Sequence, residues 1–225
     1  VGFFYFKYLV LLMSIYFNQE QQVLLESLFQ ARRDVRGNHF LRNEPVSSED
    51  VQRILQAAVW APSVGYSQPW RFVVIRDEKI KSQIADSFQS ENSKASNLFD
   101  DKQKAYQALK LEGIYESPVN IAVFYEPSDK PVLGQTAMTE MGEYSVVCAV
   151  QNMWLMARAM NIGMGWVSIL NPDDVAKALS APASHKLVAY LCVGKVDKFL
   201  DRPELETLKW EQKKALESVV SYEGF

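Results

Sequence analysis

Between Gln19 and Ala31 the apolar residues Val23, Leu24, Leu28 and Ala31 recur at three- to four-residue spacing, with glutamates near the start, which predicts a helix. A second helix is expected in PVSSEDVQRILQAAVW. Ser47 or Ser48 can cap it, Glu49 and Asp50 complement its dipole, and Val51, Ile54, Leu55 and Ala58 form its buried stripe before Pro62 stops it. RFVVIR (71–76) is a short apolar run between charges and is expected as a strand; Ile80, Ile84 and Phe88 then recur every fourth residue, as on a helix. Residues 89–113 are polar and weakly periodic, and are expected as a mobile excursion with a helix near Lys102–Leu111, the natural lid over a site. NIAVFY (120–125) predicts a buried strand, closed off by Pro127 and Pro131. The longest helix is expected from Thr139 to Met160, where Met141, Tyr144, Val147, Cys148, Val150, Trp154 and Leu155 leave little polar face and predict burial on most sides. Gly163 and Gly165 end it, and WVSIL (166–170) is expected as the next strand. Asn171-Pro172-Asp173-Asp174 is a helix start with a cap, a proline and acids in the first turn. LVAYLCV (187–193) predicts another core strand, and a charged helix is expected from Leu205 to Val220. Few strands among many helices in mixed order give the α+β class, with helices packed around a small mixed sheet.

Composition narrows the picture. The 225 residues suit one domain and can bury a substantial core; 48% are apolar and 23% charged, as in a soluble globular protein. A net charge of −3 gives no footprint for nucleic acid, so any anion site must be built locally from a few placed cations. Cys148 and Cys192 lie in apolar stretches without C-x-x-C spacing and are expected as reduced core residues. His39 and His185 are far apart and show no metal-ligand spacing, so no metal is expected. The opening VGFFYFKYLVLLMSIYF is interrupted by Lys7, followed by Asn18, and short against the roughly 20 apolar residues of a membrane span. It also lacks the basic region and cleavage site of a secretory signal. Translation from Met13 would account for it, so residues 1–12 are expected to be a start-site or cloning artefact. Residues 1–18 then form an apolar extension to a single domain over 19–225. No membrane partner is expected, and the cytoplasm is the expected location.

Chemistry concentrates at a few loop edges. RRDVRGNHF (32–40) sets three arginines around one aspartate. If the segment is extended, Arg32, Asp34 and Arg36 share a face; if it is helical, Arg32 and Arg36 pair and Asp34 points away. Gly37 favours leaving the helix. A phosphate of about −1.5 to −2 charge would suit these guanidinium forks, at roughly 1.5–3 kcal/mol per charge-assisted bond. The same cations favour an ionised Asp34, suited to accepting a proton. A solvated salt-bridge cluster is the plainer alternative. APSVGYSQPWRF (61–72) joins fixed turns to hydroxyl and amide groups and an aromatic wall at Trp70, which suits a flat, polar-edged ligand. In NIGMGWVSIL (161–170) two glycines would let a ligand approach the backbone, and Ser168 would share a strand face with Trp166. KLEGIYESPVN (110–120) says little by itself. The glycine pair is too short for a dinucleotide fingerprint, and there is no P-loop, G-x-S-x-G or zinc pattern.

Together, the Arg-Arg-x-x-Arg start, the Pro-Ser loop ending in Gln68-Pro69-Trp70 and the glycine-rich turn into a strand resemble the FMN-dependent nitroreductase superfamily. RRDVRGNHF, APSVGYSQPW, KLEGIYESPVNI, EMGEYSVVCAVQNMWLMARAMNIGMGWVSI and DRPELE (201–206) are similar to its BluB branch, the 5,6-dimethylbenzimidazole synthases. The resemblance spans roughly residues 20–210. It implies an intertwined homodimer with FMN at the subunit interface. Arg32, Arg33 and Arg36 would hold the phosphate and ribityl chain, and Ser63 and its loop would reach the flavin from the partner subunit. Gly165 to Ser168 would line the ring, with Asp34, Val35, Gly65, Val167 and Arg202 among the contacts. It further implies that reduced FMN and molecular oxygen are consumed to make 5,6-dimethylbenzimidazole, the lower ligand of cobalamin. Asp34 and Ser168 would be catalytic, and a separate flavin reductase would supply the reduced FMN. Common nitroreductases usually carry asparagine where this chain has Tyr66 and often serine where it has Asp34, and both departures favour the BluB branch. The alternative implied by the wider superfamily is an FMN-dependent NAD(P)H nitroreductase or quinone reductase. A flavin-storage protein would gain nothing from Asp34.

Overall fold

A computed structural model describes residues 16–99 and 102–225; most of the apolar extension expected over residues 1–18 lies outside them. The chain divides into two compact units, Val1–Arg32 and Arg33–Phe225. In the first, helix α1 (Gln19–Ala31) begins at a reciprocal capping box: the Asn18 side chain accepts from the Gln21 N–H and the Gln21 side chain from the Asn18 N–H. It ends at Arg32, whose extended backbone (φ −63°, ψ 131°) leaves the helix as Gly37 suggested.

The second unit is built on a sheet of four strands, β1 (Trp70–Ile75), β2 (Val119–Tyr125), β3 (Gly163–Val167) and β4 (Lys186–Gly194), in the order β1-β2-β4-β3. All its pairings are antiparallel, where a mixed sheet was expected. An apolar run reports that a strand is buried and carries no sign of its direction, which is why composition misled here. β2 is buried along almost its whole length because both faces of the sheet are covered. Val119, Ile121, Val123, Leu191 and Val193 enter one apolar cluster with α2 (Ser48–Val59) and α5 (Met141–Ala159). The alternate residues Ala122, Phe124, Tyr190 and Cys192 enter another with Ile84 and Phe88 of α3 (Glu78–Ser96) and Val175 of α6 (Pro172–Ala178). This is the two-residue period of a strand expressed as two cores.

Caps set the helix starts. The Ser47 side chain accepts from the Asp50 N–H, Asp77 from Lys79 and Ile80, and Asn171 from Asp173. Several expectations need correction. The polar excursion is helical as far as Ser96, and its own helix α4 (Gln103–Ala108) is shorter than expected. β3 starts three residues earlier than WVSIL suggested and leaves the ladder at Val167, opposite Tyr190, so Ser168 lies beyond the strand. The charged C-terminal helix shrinks to α7 (Glu204–Thr207) and a single 3-10 turn at Leu216–Ser218. Residues 211–225 are exposed throughout, and a short helix without a packed face does not hold itself together in water. Finally, α5 buries only the face bearing Val146, Ala149, Val150 and Met153, and Cys148 is exposed on the other side, not in the core.

Candidate active site

Residues 33–36 run alongside β3 as an extra extended segment. The Val35 N–H donates to the Met164 carbonyl at 3.1 Å, and the Trp166 N–H donates to Asp34 Oδ1 at 3.0 Å. This close docking explains Gly165: a Cβ there would stand 2.1 Å from the Val35 carbonyl oxygen. The sequence suggested that this glycine admits a ligand; what it admits is the backbone that carries Asp34. The other carboxylate oxygen of Asp34 pairs with Arg36 Nη2 at 2.5 Å, with 34% of the Asp34 side chain and 18% of the Arg36 side chain exposed. Arg36 Nη1 donates to the Leu111 carbonyl at 3.4 Å. Asp34 and Arg36 thus share a face, as the extended reading required. Arg33 turns elsewhere: its Nε donates to the Leu200 carbonyl at 2.9 Å and its Nη2 to the Asp201 carbonyl. Trp154 Nε1 fixes the Arg33 carbonyl at 3.1 Å. Arg202, next to that gripped segment, is exposed and pairs with Glu206 at 2.6 Å.

Val167 is buried at the end of β3, and Ser168 is exposed one residue beyond it. From the Trp166 amide that holds Asp34, Ser168 is two residues along, about 7 Å of extended chain. The Ser63 loop is elsewhere in the unit. Ser63 Oγ accepts from the Gln68 N–H at 3.1 Å, and the Val64 N–H donates to Ser145 Oγ of α5 at 3.0 Å. Gly65, Tyr66 and Gln68 have φ of +55°, +54° and +49°, left-handed conformations that are uncommon for non-glycine residues. Gly65 is also pressed against the Leu133 carbonyl, 2.7 Å from where its Cβ would be. Ser67 Oγ is buried without a hydrogen-bond partner among the described residues. A cavity of about 270 Å³ beside this loop is lined by Gln68, Tyr125, Glu126 and Gln135, none of them a member of the Asp34 cluster. One chain therefore gathers Asp34, Val35, Arg36, Gly165 and Val167, with Ser168 just beyond, and holds Ser63 and Gly65 against α5. Arg32 closes α1 in the first unit.

Sequence reasoning missed the Trp166 amide and the carbonyls of Leu111 and Glu112, the second of which accepts the Gly37 N–H at 2.8 Å. KLEGIYESPVN was noticed as a motif but given no role; here it is the seat of Arg36 and Gly37. Cys192 lies within reach of the same charges. Burial pushes its thiol up to about 12, against the opposing effects of the Ser117 hydrogen bond and the Arg36 charge, so it is an inert neighbour.

Residues 29–195 match the nitroreductase family model. The chain belongs to the nitroreductase family. A nitroreductase-family relative, the 5,6-dimethylbenzimidazole synthase of Rhodospirillum rubrum, is 47% identical over 193 residues, 84% of this chain and 90% of the relative. Among solved structures, oxidized iodotyrosine deiodinase bound to FMN and 3-iodo-L-tyrosine aligns with a TM-score of 0.69 at 25% identity, covering 89% of this chain and 100% of that one. A BluB-like flavoprotein from Clostridium difficile 630 aligns with a TM-score of 0.65 at 24% identity, covering 88% and 98%, and shares the nitroreductase fold. The residues present fit a flavin mononucleotide. Guanidinium groups can meet a phosphate, Ser63 and Ser168 offer hydroxyls, and the buried Ser67 hydroxyl in the loop is still to be satisfied.

Proposed function

We propose that this chain makes 5,6-dimethylbenzimidazole by oxygen-dependent fragmentation of reduced FMN, the product being the lower ligand of cobalamin. The observation that carries the reading is Asp34: a carboxylate gripped by Arg36 on one oxygen and by the Trp166 amide on the other, in a chain 47% identical to a named synthase. Reduced FMN, as substrate, supplies both the electrons for oxygen and the carbon skeleton of the product. Arg36 supplies the cation beside Asp34. Arg202 is the further candidate for the phosphate, while Arg33 holds the 200–201 segment in place. Asp34, fixed at both oxygens, accepts protons from the substrate as bonds to the ring and side chain break. The Ser168 hydroxyl hydrogen-bonds the reacting region, and Val35, Gly165 and Val167 form the wall beside it. The strained loop with Ser63 and Gly65 completes the site of a second copy, so the working unit is a homodimer. A separate flavin reductase delivers the reduced flavin in the cytoplasm. Among the described residues no helix is long and apolar enough to cross a membrane.

Incubation with chemically reduced FMN in air tests this directly: flavin disappears and dimethylbenzimidazole accumulates. Sustained NAD(P)H turnover with the flavin intact and no dimethylbenzimidazole would overturn it in favour of an ordinary reductase. Asp34→Asn keeps the Trp166 contact through its amide oxygen and gives up the Arg36 ion pair; it retains oxidised FMN while product formation drops by about 100-fold or more. Product at the wild-type rate from Asp34→Asn would remove Asp34 from the chemistry.

A further inference from the structure

The segment that seats Arg36 is itself held from within the protein. On its site-facing edge, residues 111–117 offer the Leu111 carbonyl to Arg36 at 3.4 Å and the Glu112 carbonyl to the Gly37 N–H at 2.8 Å. The Glu116 side chain fills the space that a Cβ on Gly37 would need, with three of its atoms 3.0–3.1 Å from that position. Gly37 is not in the left-handed region, so it is glycine to make room for this loop, and not for a turn.

On its inner edge the loop meets buried polar groups whose presence packing alone does not explain. Lys81 of α3 is 1% exposed, and its ammonium donates to the Ser117 carbonyl at 2.9 Å and to Glu78 Oε1 at 3.1 Å. Asn120 of β2 is fully buried; its Nδ2 donates to the Ile114 carbonyl at 3.0 Å, and its Oδ1 accepts from Ser117 Oγ at 2.5 Å. The same amide donates to Tyr190 Oη on β4 at 3.0 Å, a contact that leads away from the loop. Burying an ammonium is costly and seldom the cheapest route to stability, and a hydrogen-bonded buried network of this kind fixes one geometry over its neighbours.

We propose that Lys81, Ser117 and Asn120 are positioning residues of the site. They lock the 111–117 loop as a rigid seat for Arg36, and through Arg36 they set both the phosphate-facing cation and the orientation of Asp34. The proposal rests on the flavin reading above and deepens it by naming what aims the cation.

The test compares binding of FMN, riboflavin and lumiflavin, followed by quenching of flavin fluorescence, in the full-length protein. In the wild type, FMN binds more tightly than riboflavin because its phosphate meets Arg36. Ser117→Ala and Lys81→Met loosen the seat and shrink that preference by about tenfold, the worth of one charge-assisted contact, with lumiflavin affinity unchanged. Tyr190→Phe removes a hydroxyl from the same network without touching the loop and keeps the full preference. Thermal unfolding confirms that each variant is folded; Ser117→Ala, which deletes one oxygen, stands in should Lys81→Met fail. A wild-type preference in both loop variants, or an equal loss in Tyr190→Phe, would overturn the seat. Dimethylbenzimidazole formation by the wild type, scored in parallel, decides the function separately from the binding ratio.

Discussion

A methyl group at position 165 would stand 2.1 Å from the Val35 carbonyl oxygen, so Gly165→Ala must push the Asp34 segment off β3. The expected cost is about 1–3 kcal/mol of overpacking, read by urea denaturation, with a larger loss of product than of bound flavin because Asp34 moves with the segment. The cysteines give a second residue-scale prediction. Cys148 is exposed, whereas Cys192 is fully buried with its thiol pushed up to about 12 by that burial. A raised thiol stays protonated below its folded value, so at mildly alkaline pH a thiol reagent spares Cys192 until the chain unfolds, whereas Cys148 reacts only where no second copy covers its face of α5; peptide mapping after labelling checks this. Legibility at this scale followed a simple rule. The Asp34–Arg36 pairing was readable because side chains alternate along an extended segment, which puts positions two apart on one face. Arg33 was not, because its partners are backbone carbonyls at 200–201, and no sequence spacing announces a carbonyl.

At the scale of elements, α1, α2 and α6 were legible because caps and periodicity agreed. The C-terminal helix was not, because charge and helical propensity exist there without a surface to pack on. What that region does instead is form a clasp. The Trp210 ring meets Phe99 edge-on at 5.3 Å and Tyr106 of α4 at 6.2 Å, and Phe99 stacks on Tyr106 at 5.1 Å. Lys102 Nζ sits 5.0 Å over the Trp210 ring. Tyr106 is buried, which raises its phenol, and its hydroxyl donates to Asn92 Oδ1 at 2.7 Å. The clasp joins the expected lid to the chain that Arg33 grips at its other end. Trp210→Ala removes aromatic contacts worth about 0.5–1.5 kcal/mol each, so amide exchange in α4 should rise while the sheet stays protected. Unchanged exchange in Gln103–Ala108 would mean that the clasp does not restrain the lid.

At the scale of the whole molecule, the stripe on α5 is the feature this chain leaves unused. Tyr144, Val147, Cys148 and Gln151 fall one helical turn apart on a single exposed face, with Tyr144 51% and Val147 40% exposed. At the end of α2, which packs against α5, Val59 and the capping residue Trp60 are exposed as well. Both faces of the sheet are already covered, and these apolar residues join neither core cluster of the described residues. The sequence reading took α5 as buried on most sides, and a second copy would make it so; amino-acid pattern reports burial without saying whose atoms provide it. The Ser63 loop fits the same proposal, since it is held in a strained form against α5, with no hydrogen bond to the Asp34 cluster among the described residues, and would reach the flavin of a second copy. Val147→Glu places a charge in the middle of the stripe and, on this argument, converts a dimer into monomers in sedimentation or light-scattering measurements. Flavin affinity should fall with it, although residue 147 is no part of the Asp34 cluster, because each site loses the loop supplied by the other copy. A wild-type chain that sediments as a monomer and still binds FMN would refute the shared site, and would require the Ser63 loop to act within its own chain.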